Sequence, residues 1–444
     1  MTQRTFPLPP SRMVDAALAQ RCADVRHGLA CQEESWSRGF TRRRMLQGVG
    51  MAGVAALASQ LVTTRVAYAA SGTTAGNTLI VVFLRGGADG LRMLIPQAAD
   101  LGNAYLRSVR PTLVPSNLDI RTLPGTAGWG VNKGFDPLLP FFASGELGFV
   151  PAVSAAGATR SHFQAQQLLE RGGSGSTTGW LDRTLTALGP GTTFRALAEG
   201  GAGPASLAGL EPKLSMNSLE SFDFPGWEGV RDRSMTAIQS LYRGFTSTLA
   251  SDVRTTLAAV TTAQAVQVTA GPQNGAVYPA GNFASSLGDL ATLLRAEVGL
   301  EVATVDVGGW DTHTDEAGDL DALTAAASRA LAAFLTDLGP ERRKRVTVAV
   351  MTEFGRRVQT NASSGTDHGT GSTMFLLGGG LAKSSVFGRW TALSSAALVD
   401  GDVPPVNNAF DVLGELLQKR LGIGSLGTIF PGHAYSPLGL ATAL

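Results

Sequence analysis

Five predominantly apolar runs follow one another along the chain from residue 79 onward, and the first of them is unbroken. They cover residues 79–84, 147–153, 302–307, 346–351 and 374–377. Continuous rather than alternating apolarity is typical of strands buried on both faces of a parallel sheet. Helical patterns lie between the runs, at 161–171, 287–297, 320–338 and 410–421, with two more near 231–248 and 252–268. Strands that alternate with helices predict an α/β sandwich around a mostly parallel central sheet.

Residues 70–444 are expected to form a single domain. With 44% apolar and 16% charged residues, the sequence has ample material for a buried core, which excludes a disordered chain. Residues 190–285 are rich in Ala, Gly, Ser and Thr, and we interpret them as an insertion or cap that packs on the same domain.

Residues 1–69 have the three parts of an export signal. Consecutive arginines at 42–44 follow a hydroxyl residue, a small and apolar run fills 48–62, and the sequence AYA at 67–69 forms a cleavage site. The arginines with MLQ behind them match the twin-arginine pattern. The alternative is a membrane anchor, but the run is shorter than the roughly 20 residues that spanning requires. We therefore expect the twin-arginine export machinery as a partner, a periplasmic or secreted location, and no stable membrane anchor.

The charge balance and the cysteines exclude several classes of function. The whole chain carries 36 basic and 35 acidic residues, and no basic block lies in its body, so no nucleic acid is expected as a partner. Both cysteines, Cys22 and Cys31, lie in the leader. The body therefore has no disulfide framework, no cysteine nucleophile and no thiolate metal site.

Histidines are scarce after the leader, and their neighbours are polar. The four are His162, His313, His368 and His433, and all but His433 lie in Gly- or Ser-containing segments beside a carboxylate or hydroxyl. His433 has no acidic neighbour in the sequence, and we interpret it as a surface histidine. Ligands of open α/β sheets bind outside the carboxyl ends of the strands, which is where the other three are predicted to lie.

Two candidate segments follow the first two apolar runs. Asp89 lies in a GGADG turn, where a carboxylate can hold a cation or can simply cap the next segment. Ser161 lies at a predicted helix start between Arg160 and His162. The positive end of the helix dipole favours an alkoxide nucleophile there, and Arg160 could hold an oxyanion. The alternative is that Ser161 is only a helix cap.

Two further segments follow later apolar runs, and both combine carboxylates with histidine. The first contains Asp306, Asp311 and His313, a donor set suited to zinc or manganese. The second contains Glu353, Arg356, Arg357, Asp367 and His368. The alternatives are a structural His–Asp hydrogen bond in the first segment and a solvated loop in the second.

Five motifs together resemble the signature set of the domain-of-unknown-function 1501 family. They are LRGGADG at 84–90, RSHF at 160–163, GWDTH at 309–313, TEFGR at 352–356 and TDHG at 366–369. Their order matches, they span most of the chain after the leader, and the twin-arginine leader is typical of the family. The family in turn resembles the alkaline-phosphatase-like superfamily of phosphatases, sulfatases and phosphoglycerate mutases, which implies an alkaline-phosphatase-like three-layer sandwich.

The resemblance also implies roles for individual residues. Asp89 corresponds to a metal ligand after the first strand and Ser161 to the nucleophile. Asp306, Asp311 and His313 correspond to the middle ligand group, and Asp367 with His368 to a later Asp-His pair. The spacing departs from the superfamily pattern, so Glu353 and His162 are further candidate ligands. One or two divalent ions are implied, with zinc, manganese and calcium as candidates.

These observations lead to a hypothesis about function and one alternative from another class. The hypothesis is an exported metal-dependent hydrolase of phosphate or sulfate esters that acts on a small-molecule or glycan ester. Ser161 would be its nucleophile, and Arg160 or Arg356 would hold the oxygens of the reacting group. The alternative is a non-catalytic binding or assembly protein of the cell envelope. A metal-free serine hydrolase is disfavoured because no G-x-S-x-G motif has the required spacing.

Overall fold

The computed structural model describes residues 76–155, 159–200, 203–224, 228–267 and 271–443. The predicted signal at 1–69 lies outside these residues. No helix in the described ranges is long and apolar enough to cross a membrane.

An α/β architecture is built on two sheets, and the strand bounds are as follows. They are β1 (Thr78–Leu84), β2 (Leu94–Pro96), β3 (Ile120–Thr122), β4 (Trp129–Asn132), β5 (Leu147–Ser154), β6 (Ala196–Glu199), β7 (Leu214–Met216), β8 (Val302–Val307), β9 (Val346–Met351), β10 (Ser372–Gly378) and β11 (Asn407–Asn408). Within the described residues, eight strands form the large sheet in the order β11-β5-β10-β9-β1-β8-β6-β7. The small antiparallel sheet has the order β2-β4-β3.

The large sheet is parallel except for β10, which runs antiparallel to both β5 and β9. Every residue of β1, β9 and β10 is buried, as continuous apolarity predicts for central strands. All five predicted strands are present, as β1, β5, β8, β9 and β10. The predicted sandwich with a mostly parallel sheet is therefore confirmed.

Helices cover the large sheet, and their bounds are as follows. They are α1 (Gly90–Met93), α2 (Asn103–Val109), α3 (Leu139–Ala143), α4 (His162–Arg171), α5 (Trp180–Leu188), α6 (Glu228–Leu241), α7 (Thr248–Gln267), α8 (Asn282–Arg295), α9 (Glu316–Arg343) and α10 (Ala409–Leu421). On one face, α4, α5 and α10 share a hydrophobic core with the Leu79, Val81 and Phe83 side chains of β1. On the other face, α8 contacts β8 and α9 contacts β9. The Ile80 and Val82 side chains of β1 are fully buried on this face.

The segment 190–285 differs from the prediction in one respect. It supplies β6 and β7 to the large sheet, where β6 pairs with β8 and β7 with β6. These strands have only four and three residues, with the sequences ALAE and LSM. Strands this short contain too few residues to show a periodic pattern, so they could not be predicted from the sequence.

The strand directions bring four loops to one edge of the large sheet. The parallel strands β1, β5, β8 and β9 all end at this edge. Since β10 runs the opposite way, its beginning lies at the same edge, and Ser372 of β10 pairs with Val153 near the end of β5. The loops after β1, β5 and β8 and the loop that connects β9 to β10 therefore meet, and they carry all the candidate motifs.

Candidate metal centre

His162 is the first residue of α4, the helix that follows β5. Ser161 precedes it in extended conformation as the helix cap, and α4 ends at Gly172 in the left-handed conformation. The Nδ1 atom of His162 lies 2.8 Å from Oε1 of Glu353. The Nε2 atom of the same ring is buried, has no hydrogen-bond partner among the described residues, and lies 3.4 Å from Oδ2 of Asp311.

Glu353 lies two residues after the end of β9 and orients the His162 ring through its hydrogen bond to Nδ1. Its carboxylate is completely buried. Besides facing His162, Oε1 accepts hydrogen bonds from the Gly86 amide at 2.9 Å and from Nε2 of Gln166 at 2.8 Å. Burial raises the pKa of Glu353, but these hydrogen bonds outweigh it and leave the pKa below its ordinary value. Glu353 is therefore an anion that only accepts, and the shared proton lies on Nδ1 of His162.

His368, in the loop before β10, is oriented in the same way by a main-chain carbonyl. Its Nδ1 atom lies 2.9 Å from the carbonyl oxygen of Arg160. A carbonyl can only accept, so Nδ1 of His368 carries the proton. The Nε2 atom of the same ring lies 3.0 Å from Oδ1 of Asp311 and 3.0 Å from Nε2 of His313.

Asp311 and His313 come from the loop after β8. His313 Nε2 lies 3.0 Å from Oδ1 of Asp311, and His313 Nδ1 lies 3.8 Å from Oδ1 of Asp367. Although burial opposes it, hydrogen bonds from His368 and Arg356 lower the pKa of Asp311 to about 2. Asp311 is thus an anion at any physiological pH.

These donors fit a divalent cation. One donor atom each from His162, Asp311 and His368 lies within 4.8 Å of the others, and Nε2 of His313 adjoins them. Two imidazole nitrogens and a carboxylate oxygen thus face one point. The buried Nε2 atom of His162 has no other partner among the described residues. Imidazole nitrogen with one carboxylate oxygen suits zinc, and each imidazole is oriented by an acceptor on its other nitrogen.

The structure places two predicted ligands elsewhere. Asp89 caps α1 by accepting from the Leu91 amide, and its other oxygen pairs with Arg110, a residue that is equally buried. Asp306 pairs with Arg85 at 2.9 Å. A guanidinium thus occupies the place of a metal ion at each carboxylate.

The side chains of the three predicted catalytic residues differ in what they contact. Arg356 is fully buried, and its N–H groups point to the carbonyls of Gly86, Gly87, Trp310 and Thr366 and to Asp311. Arg160 directs its guanidinium to Asp402 at 2.7 Å. Ser161 lies between the Arg160 carbonyl and His162, and its side chain makes no capping hydrogen bond. Of the three, Ser161 alone has a side chain that these contacts leave uncommitted.

Sequence reasoning missed several residues that shape the centre. Gln166 lies four residues after His162, on the same helix face, and that spacing was the available signal. Asn361 donates to the His313 carbonyl at 2.9 Å and accepts from the Ser363 and Gly365 amides. It fastens the loop before β10 to the loop after β8, and an Asn in a Ser/Gly-rich turn was its only signal.

The sequence of this region decides the family. The family described as "Protein of unknown function (DUF1501)" matches residues 151–407, which is more than half of the chain. The chain belongs to that family. The matched residues contain four of the five predicted motifs, and the LRGGADG motif at 84–90 precedes them. No curated protein matches the sequence.

Several solved structures resemble this DUF1501 chain. The C-terminal periplasmic domain of EptC from Escherichia coli has 11% identity and a TM-score of 0.35 over 82% of this chain and 89% of that one. The same domain in complex with Zn has 11% identity and a TM-score of 0.31 over 69% and 74%. Alkaline phosphatase from the Antarctic bacterium TAB5 has 8% identity and a TM-score of 0.26 over 70% and 95%. Likenesses with such scores carry no argument about the chemistry of this chain.

Gly86 provides a test of how closely the loop after β1 must pack against the loop after β8. Its φ of +127° is in the region that favours glycine, and a Cβ there would meet the Asp311 amide nitrogen and lie 2.7 Å from the Trp310 carbonyl carbon. We expect Gly86→Ala to displace the Asp311 loop and lower zinc affinity about 10- to 100-fold, as loss of outer-sphere support does. Gly308→Ala is the control because nothing lies within 4 Å of its Cβ. Equal affinity of both variants in a chelator competition titration would contradict the expectation.

Proposed function

We propose that the chain is an exported metal-dependent hydrolase of phosphate or sulfate esters. One observation carries the proposal: His162, Asp311 and His368 bring donor atoms within 4.8 Å of one another at the edge where the loops meet. The hydroxyl of Ser161, the residue next to His162, is left without a capping hydrogen bond. A histidine-rich ligand set beside an uncommitted hydroxyl is the combination that ester hydrolysis by a metal-dependent nucleophile requires.

His162, His368 and Asp311 would hold the ion, with His313 as the adjoining fourth ligand. When bound, a zinc ion supplies a Lewis acid that polarises the ester and lowers the pKa of an oxygen nucleophile. One ion per chain is the expected number. Asp89 and Asp306, which a second ion would need, are already neutralised by Arg110 and Arg85.

The residues of the chain itself position the reaction. Ser161 lies at the N-terminus of α4, where the helix dipole favours an oxyanion on Oγ. Glu353 fixes the His162 ring and Arg356 fixes Asp311, so both ligands are held before substrate arrives. Ser161 Oγ would attack the phosphorus or sulfur atom, and the alcohol would leave from the opposite side.

Export is the second part of the proposal, and the sequence of residues 1–69 supports it. A twin-arginine signal with a cleavage site would deliver a folded protein to the periplasm or the exterior. Folding before export would let the metal centre form in the cytoplasm.

Ser161→Ala tests the proposed chemistry. We expect the variant to retain zinc while kcat for a p-nitrophenyl ester falls by at least about 100-fold, because the nucleophile is lost and the ligands are not. Ser116→Ala, an exposed serine paired with Asp119, is the control. Zinc content and initial rates are measured on the same preparations. A zinc-loaded wild-type protein that hydrolyses neither phosphate nor sulfate esters would contradict the proposal and favour a non-catalytic binding role.

A further inference from the structure

We propose that this centre selects esters whose reacting group carries a single negative charge, over phosphate monoesters, which carry two. Sulfate monoesters and phosphate diesters share that chemistry. The inference rests on the proposed function and names its substrate class. It is drawn from the charges that surround the centre rather than from the ligands themselves.

Carboxylates outnumber arginines in the ion pairs and histidine contacts formed by the loops around the centre among the described residues, with the balanced Asp89–Arg110 pair left aside. The carboxylates are Glu170, Asp306, Asp311, Glu353, Asp367 and Asp402. The arginines are Arg85, Arg160, Arg356 and Arg357. Six negative groups face four positive ones, so a divalent ion brings this set to neutrality and leaves no surplus positive charge for the substrate.

The guanidinium groups nearest the ligands are already committed. Arg356 is completely buried and directs its N–H groups to four carbonyls and Asp311. Arg85 lies between Glu170 and Asp306 and pairs with both. Neither can turn toward a substrate oxygen without leaving a carboxylate unpaired, which is costly where that carboxylate is buried, as Glu170 is.

The two remaining arginines share one carboxylate. Asp402 is fully buried and lies 2.7 Å from Nη2 of Arg160 and 3.9 Å from Nε of Arg357. Two guanidinium groups thus share one buried carboxylate, and Arg357, which is 40% exposed, lies at the outer limit of an ion pair with it. The positive charge that this pair has in excess is already included in the count of six carboxylates against four arginines.

Charge then decides between substrates. The second negative charge of a phosphate monoester costs additional desolvation, and a set of groups that the bound ion brings only to neutrality does not compensate it. Asp306 adds to this effect because it is 45% exposed beside Arg85. A group with one negative charge experiences about half of this unfavourable electrostatic energy.

Three probes with the same phenyl group test the inference on the zinc-loaded full chain. They are phenylphosphonate, its monomethyl ester and benzenesulfonate, each titrated by calorimetry at pH 9, where the first carries two charges and the others one. We expect at least one singly charged probe to bind 10-fold or more tightly than phenylphosphonate. The tighter of the two identifies phosphorus diesters or sulfate esters as the source. Tightest binding of phenylphosphonate, or binding of none of the three, would overturn the inference.

Asp306→Asn provides a second measurement that does not depend on the intrinsic affinity of each probe. Electrostatic energy scales with charge, so a threefold gain for a singly charged probe should accompany a gain of about ninefold for phenylphosphonate. Asp136→Asn is the matched control, since Asp136 is 48% exposed and pairs with Arg121 outside this set. Equal gains for all probes would overturn the inference. Failure of ester hydrolysis with this order of affinities intact would contradict the proposed function alone.

Discussion

Replacement of His162 by alanine is expected to lower the affinity for zinc by at least about 100-fold, because one of the few ligands is lost outright. The loss should be larger than that of Glu353→Gln, which leaves the ring in place and removes only the charge that orients it at 2.8 Å. Affinity is measured by competition with a chromophoric chelator on the folded full chain.

His433→Ala is the matched control for this experiment. His433 also pairs with a carboxylate, since its Nε2 atom lies 2.8 Å from Oδ1 of Asp411, but it is not part of the centre. The control should bind zinc as the wild type does. If His162→Ala and His433→Ala had the same affinity, His162 would not be a ligand and the centre would be wrongly placed.

Replacement of Arg356 by methionine is expected to lower the free energy of unfolding by about 3–5 kcal/mol, the usual cost of removing one partner of a buried ion pair. The cause is that the acceptors of the hydrogen bonds from Arg356 lose their donor. The carbonyls of Gly86 and Trp310 and the carboxylate of Asp311 all lose a donor in or near the interior. Urea denaturation of the metal-free protein measures the change without a contribution from bound zinc.

Arg121→Met is the control for the arginine. Arg121 pairs with Asp136 at 2.7 Å, but this pair is open to solvent, so the expected change is much smaller than that for Arg356. A loss of similar size in both variants would show that Arg356 is not the buried link between the loops. In that case the pre-positioning of Asp311 would need another explanation.

The central strands could be predicted from the sequence because burial on both faces leaves a direct signature. The apolar run at 79–84 became β1, and the run at 346–351 became β9. The short strands β6 and β7 could not be predicted, since three or four residues show no period. The pairing of β6 with β8 depends on contacts between residues about 100 positions apart.

The candidate centre was predictable only in part. Histidine beside carboxylate in a glycine-containing loop is a local signal, and it identified Asp311, His313 and His368. His162 was identified by its position next to Ser161 at a predicted helix start. Which carboxylates face the centre depends on distant partners. Arg110 pairs with Asp89 from 21 residues away, and Arg85 pairs with Asp306 from 221 residues away. One sequence alone does not show such pairings, so it does not distinguish Asp89 and Asp306 from metal ligands.

Zinc-edge X-ray absorption on the zinc-loaded full chain is the most direct test of the metal centre. The account predicts one zinc ion per chain, with a first shell dominated by imidazole nitrogen at about 2.0–2.1 Å and an oxygen ligand at about 2.0–2.2 Å. That shell should change when His368 is replaced by alanine. A protein that retains no zinc, or a shell of oxygen atoms alone, would contradict it.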